Sequence, residues 1–90
     1  MKTYNGHRSW NAWNVTLWIN NTEDIYDYAV RCVRGAIKAH PRADHEHILR
    51  WAALRFMAAF NGEKTPDGAK YNPLAVKLAI EDIVEYELKN

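Results

Sequence analysis

Apolar residues recur at helical spacing along most of the chain, and the pattern predicts four helices. The clearest lies between Thr22 and His40-Pro41. Ile25, Tyr28, Ala29, Cys32 and Ala36 form one stripe, and Asp27, Arg31, Arg34 and Lys38 form the opposite one. Asp27 and Arg31 are spaced for an i,i+4 pair. Thr22 is a good N-cap, Glu23 and Asp24 suit the positive end of the helix dipole, and Arg34 and Lys38 suit the negative end. Pro41 disfavours helix at His40 and ends the segment.

A further helix is expected from His45 to Phe60, capped by Asp44 and stopped by Asn61-Gly62. Ile48, Ala52, Phe56 and Ala59 line one face, and Leu49, Ala53 and Phe60 widen it. Trp51, Leu54 and Met57 make the remaining sides apolar too. A helix of that kind is expected to be the buried central one. Residues 62–72 read as a polar loop with a turn at Thr65-Pro66-Asp67-Gly68. Asn72-Pro73 opens the last helix, which runs to about Leu88 and turns Val76, Ala79, Ile80, Ile83 and Tyr86 inward.

The first helix is the least settled by pattern. From Trp10 to Ile19, with Ser9 as N-cap, Trp10, Trp13 and Leu17 share one face, and Ala12, Val15 and Ile19 share another. So little solvent face remains that burial on two sides is expected. Yet Val15, Leu17 and Ile19 also alternate with Asn14 and Thr16, which is a strand pattern. The tryptophan spacing favours the helix. The fold expected is therefore all-α: a compact single-domain bundle of about four helices over residues 1–90, with a buried central third helix.

Composition narrows the class. With 48% apolar residues in 90, the chain carries enough for one modest core. No apolar run approaches the roughly 18 residues of a membrane span, and the first residues lack the apolar stretch of a signal peptide. One cysteine, Cys32, suits a reducing compartment. A cytoplasmic protein without membrane contact is expected. The net charge is only +1, but it is unevenly spread. Residues 31–55 hold Arg31, Arg34, Lys38, Arg42, Arg50 and Arg55 against Asp44 and Glu46, which gives +4.

Catalytic chemistry finds little support. Cys32 falls on the buried stripe, where a cysteine acts as a small hydrophobe. His40, Asp44, His45, Glu46 and His47 are metal-ligand types, but His45 and His47 at i,i+2 point about 200° apart on a helix. Asp44 and His47 fit an N-cap and its first turn better. Glu81, Asp82 and Glu85 lie opposite Val76, Ile80 and Ile83 and should be solvated. No glycine-rich phosphate loop is present. Neither an enzyme, nor a metal, nor a cofactor is expected.

Binding is better supported. Arg31, Arg34, Lys38 and Arg42, with Arg50, form a basic stripe that would meet an acidic protein surface or nucleic-acid phosphates; the alternative is a solvated helix face. Arg55 sits among Ile48, Ala52 and Ala59 as either an ion-paired buried arginine or an interface residue beside Trp51. Leu74 and Leu78 fall on the acidic side of the last helix as a possible partner contact. The tryptophan–asparagine run from Trp10 to Asn21 is either a core element with its amides bonded or an exposed aromatic surface.

The run Tyr4-Asn5-Gly6-His7 followed by Trp13-Asn14-Val15, Leu17-Trp18-Ile19 and Asn20 resembles a group of small proteins of phages, prophages and plasmids. The resemblance covers roughly the first quarter of the chain and brings no catalytic residues with it. It implies an accessory protein of a mobile element. Combined with the basic stripe, this gives the expectation of a non-catalytic binding protein, an inhibitor of a bacterial defence complex such as an anti-CRISPR or antirestriction protein. Its partner would be a host protein or protein–nucleic-acid complex. The alternative is a small DNA- or RNA-binding regulator using the same stripe.

Overall fold

Three of the four helices begin at a side chain that takes over an orphaned backbone N–H. The computed structural model describes residues 9–89, so Tyr4-Asn5-Gly6-His7 lies outside the described residues. The helices are α1 (Trp10–Asn21), α2 (Glu23–Ala39), α3 (His45–Phe60) and α4 (Pro73–Lys89). Ser9 Oγ accepts from the Ala12 amide at 3.1 Å, Asp44 Oδ1 from the His47 amide at 3.0 Å, and Asn72 Oδ1 from the Ala75 amide at 2.8 Å. Thr22 caps α2 by position alone. Its hydroxyl makes no cap bond, and the Tyr26 amide donates to its carbonyl.

The run of tryptophans and asparagines is helical, and α1 extends two residues beyond Ile19. The Asn20 and Asn21 amides donate back to the Thr16 and Leu17 carbonyls within the last turn. Only one of its two apolar faces is fully covered. Ala12, Val15 and Ile19 are buried, whereas Trp10 and Leu17 are exposed. Burial on two sides fails because, among the described helices, α1 is seated against α4 and α2 only, and the side carrying Trp10 and Leu17 stays exposed.

The α3 helix lies between α2 and α4 and buries Ile48, Leu49, Ala52, Ala53 and Phe56 against them. Phe56, Ile19, Ile48 and Ile80 are the largest fully buried side chains. Each contributes about 1.5–3 kcal/mol through burial. Tyr28, Phe56, Phe60 and Tyr71 form an aromatic cluster joining α2, α3 and the loop end, with ring centroids 4.4–6.0 Å apart. Four apolar positions turn outward against expectation: Trp51, Leu54 and Ala59 on α3, and Tyr86 on α4, which is 65% exposed. Leu74 is also exposed, while Leu78 packs on the core.

The polar amides of α1 hold the 62–72 loop. Asn14 is 1% exposed; its Nδ2 donates to Asp67 Oδ2 at 2.9 Å, and its Oδ1 accepts from Thr65 Oγ1 at 2.6 Å. Trp18 Nε1 donates to the same Asp67 oxygen at 2.9 Å. Asn11 pairs with the Lys70 backbone in both directions, at 2.7 and 2.9 Å. The turn expected at Thr65-Pro66-Asp67-Gly68 forms, with the Gly68 amide donating to the Thr65 carbonyl and Gly68 at φ +93°. The asparagines between the tryptophans thus bond a loop across the fold.

Candidate interaction face

The α2 and α3 helices run antiparallel, and three cross-pairs mark their shared outer edge. Tyr28 meets Phe56 and Phe60 at one end, Gly35 meets Arg55 in the middle, and His40 stacks on Trp51 at the other. The His40 and Trp51 ring centroids are 4.9 Å apart with the planes at 19°. Trp51 remains 42% exposed and Leu54 49% exposed. Helical spacing places Arg50, Trp51, Leu54 and Arg55 on one outward face of α3.

Gly35 explains how Arg55 lies there. A Cβ built at Gly35 would come to 3.1 Å from Arg55 Nη1. A glycine inside a helix costs roughly 0.5–1 kcal/mol relative to alanine, and here the missing side chain gives the guanidinium its room against α2. Tyr28 Oη donates to the Arg55 carbonyl at 3.2 Å and ties the same stretch of α3 to α2. Arg31 lies over the Tyr28 ring, 5.9 Å from its centroid. Arg31 and Arg55 thus flank a shallow cleft floored by Tyr28, Cys32 and Ala58.

The basic stripe divides in space. Arg34 leans toward α4, where its Nε lies 3.0 Å from Glu87 Oε1, and that carboxylate raises its pKa further. Arg31, Lys38, Arg42, Arg50 and Arg55 are all exposed. Among the described residues, none of these five has a carboxylate within ion-pair distance, and the expected Asp27–Arg31 pair does not form. Arg55 is therefore not the buried, ion-paired alternative.

The titratable groups elsewhere are occupied structurally. The His47 amide and then its ring hold the Asp44 carboxyl below the usual carboxylate range, which is the cap expected from the spacing. Burial pushes the Cys32 thiol up, against the opposing pull of Tyr28, Arg55 and Arg31. Glu81, Asp82 and Glu85 are exposed, and Glu85 pairs with Lys89 at 3.1 Å. Among the described residues no three His, Cys, Asp or Glu side chains converge as ligands for a metal, and no helix is long and apolar enough to cross a membrane.

The profile of a family of unknown function, DUF7249, matches residues 1–89. The chain belongs to this family. No curated protein matches the chain, and no solved structure does. For this DUF7249 member, sequence reasoning found the arginines of the face but not what arranges them. Trp51 reads from its neighbours as core, and its stacking with His40 joins residues on different helices. Gly35 did leave a signal: it is a helix breaker inside an otherwise strongly periodic segment.

Proposed function

We propose that this protein is a non-catalytic binding protein whose α2–α3 face engages an acidic surface on a protein or protein–nucleic-acid complex. One observation carries the reading. Trp51 and Leu54 are exposed between Arg50 and Arg55, with Arg31 and Lys38 across on α2, and among the described residues no carboxylate pairs with these cations. Tryptophan and arginine are the side chains that most often dominate binding energy when covered by a partner. Exposed cations without internal partners are available for complementary carboxylates. Protein is favoured over bare nucleic acid because the centre of the face is apolar and the chain's net charge is only +1.

The biological setting belongs to this proposal as well. The likeness of Trp13-Asn14-Val15 and Leu17-Trp18-Ile19 to small phage and plasmid proteins supports an accessory role for a mobile element in the bacterial cytoplasm. Inhibition of a host defence complex, of the anti-CRISPR or antirestriction kind, is the form of that role we favour. The second reading, a DNA- or RNA-binding regulator, draws on the five uncompensated cations along α2, the turn and α3.

The deciding experiment is capture from bacterial lysate by the tagged chain and by its Trp51→Ala and Arg55→Glu variants, with and without nuclease. A protein retained by the wild type after nuclease, and lost with either variant at an unchanged melting temperature, supports the reading. Retention by both variants removes the α2–α3 face from it. Recovery of nucleic acid alone, with affinity falling steeply as salt rises on random-sequence duplex, establishes the regulator instead.

A further inference from the structure

We propose that the groove between α2 and α4 receives a basic side chain, lysine or arginine, from a protein partner. The groove is about 480 Å³ and lies on the side of α2 away from α3. Val30 and Ile83 line it as apolar contacts, and Tyr26 and Tyr86 line it as exposed aromatic ones. Among the described residues that line it, the carboxylates are Asp27, Asp82 and Glu87 and the cation is Arg34, so these residues carry a net −2. Arg34 is bonded to Glu87 at 3.0 and 3.4 Å. That leaves Asp27 and Asp82, which among the described residues have no ion-pair partner.

This composition selects its occupant. A phosphate or an acidic peptide would be repelled by the excess of carboxylates. A neutral apolar ligand would leave both open aspartates beside it without a counter-charge. A lysine or arginine satisfies every element together. Its methylenes lie on Val30 and Ile83 in the way long cationic side chains cover apolar surface. Its charge meets the tyrosine faces and the two aspartates. Exposed ion pairs contribute little singly, so the tyrosine and aliphatic contacts must supply the rest. The inference does not rest on the α2–α3 reading, because the two surfaces share only the helix between them.

The test uses the full chain and simple probes. Acetyl-Ala-Arg-Ala-amide is titrated into labelled protein, followed by amide and aromatic chemical shifts. The matched citrulline peptide, neutral but of the same shape, is the control. Saturable shifts at Tyr26, Val30, Ile83 and Tyr86 are expected, with the citrulline peptide weaker by about fivefold or more. The double variant Asp27→Asn, Asp82→Asn should lose about as much, and Trp51→Ala should lose nothing. The substituted residues Asp27, Asp82 and Trp51 are exposed, and an unchanged thermal melt checks that the variants fold. Shifts that do not saturate, or that scatter equally over Asp24, Glu81 and Glu85, overturn the proposal. Binding by the asparagine double variant equal to wild type overturns it too, as would concentration-dependent self-association lost in that variant, which would make a second copy the occupant.

Discussion

Arg55 lies in the space that a side chain at Gly35 would need, with its Nη1 3.1 Å from where the first carbon would sit. Gly35→Ala therefore sets two effects against each other. Alanine removes the conformational cost of glycine inside α2, about 0.5–1 kcal/mol. The obstructing atom is the far end of a flexible side chain, which moves aside cheaply. The expected outcome is a melting temperature equal to or above wild type, with weaker capture of the α2–α3 partner because Arg55 has been displaced. A drop in stability of several degrees would mean that the guanidinium is fixed in place and that Gly35 is a packing requirement.

Asn14 is the pivot between α1 and the 62–72 loop. Removing its amide leaves the Thr65 hydroxyl without its acceptor and Asp67 with only Trp18 among its side-chain donors. Losing such a buried bond costs about 1–3 kcal/mol. Each kcal/mol lowers the melt of a domain this size by about 4–8 °C. Asn14→Ala should fall within that range, and Asn11→Ala, exposed at the loop edge, should cost less. Hydrogen exchange locates the damage: the Ala69 and Lys70 amides should exchange faster in the respective variants. Unchanged protection at both amides would detach the loop from α1.

The same contact sets a pH dependence. The Asn14 amide, and after it the Trp18 indole N–H, hold the Asp67 carboxyl below its ordinary value. A carboxylate depressed in the native state stabilises the fold fully above its unfolded pKa, near 4. That contribution is lost as pH falls from there through the lower native value. The melting temperature of Asp67→Asn should consequently decline less than that of wild type between pH 6 and pH 3. Other carboxylates are common to both proteins and cancel in the comparison. Parallel declines would show that Asp67 is equally easy to protonate in the folded and unfolded chains.

What was legible in the sequence follows from the range over which each signal acts. Caps and breakers are local, so Asp44, Pro41, Asn61-Gly62 and Asn72-Pro73 place the ends of α2, α3 and α4 within a residue or so. Periodicity identified the inward faces of α2 and α4 because it, too, is a property of one helix. It does not say how far a neighbour extends over that face. Tyr86 continues the stripe of Ala79 and Ile83 yet remains exposed, and Trp10 and Leu17 stand where no partner helix reaches. Contacts between distant residues left no mark. Asn14 and Thr65 are 51 positions apart, and nothing in either residue names the other. The basic stripe was visible as a pattern, but its division, with Arg34 going to Glu87 and the rest left open, depends on where α4 lies.

Cys32 offers a measure of how firmly α2 and α3 hold together. The thiol is buried, and burial raises its pKa above the ordinary value although Tyr28, Arg55 and Arg31 pull the other way. Reaction with a thiol reagent needs both access and the thiolate, and the native state restricts the two together. Labelling of the folded protein at pH 8 should therefore be slower by about a hundredfold or more than labelling in denaturant, and limited by opening of the α2–α3 edge. Phe56→Ala, which removes the largest fully buried side chain beside Tyr28, should cost about 3–5 kcal/mol and accelerate that labelling steeply. Trp51→Ala, lying outside the core, should leave it near the wild-type rate. Fast labelling of the native wild-type chain would instead place Cys32 in an accessible thiolate state within the cleft between Arg31 and Arg55.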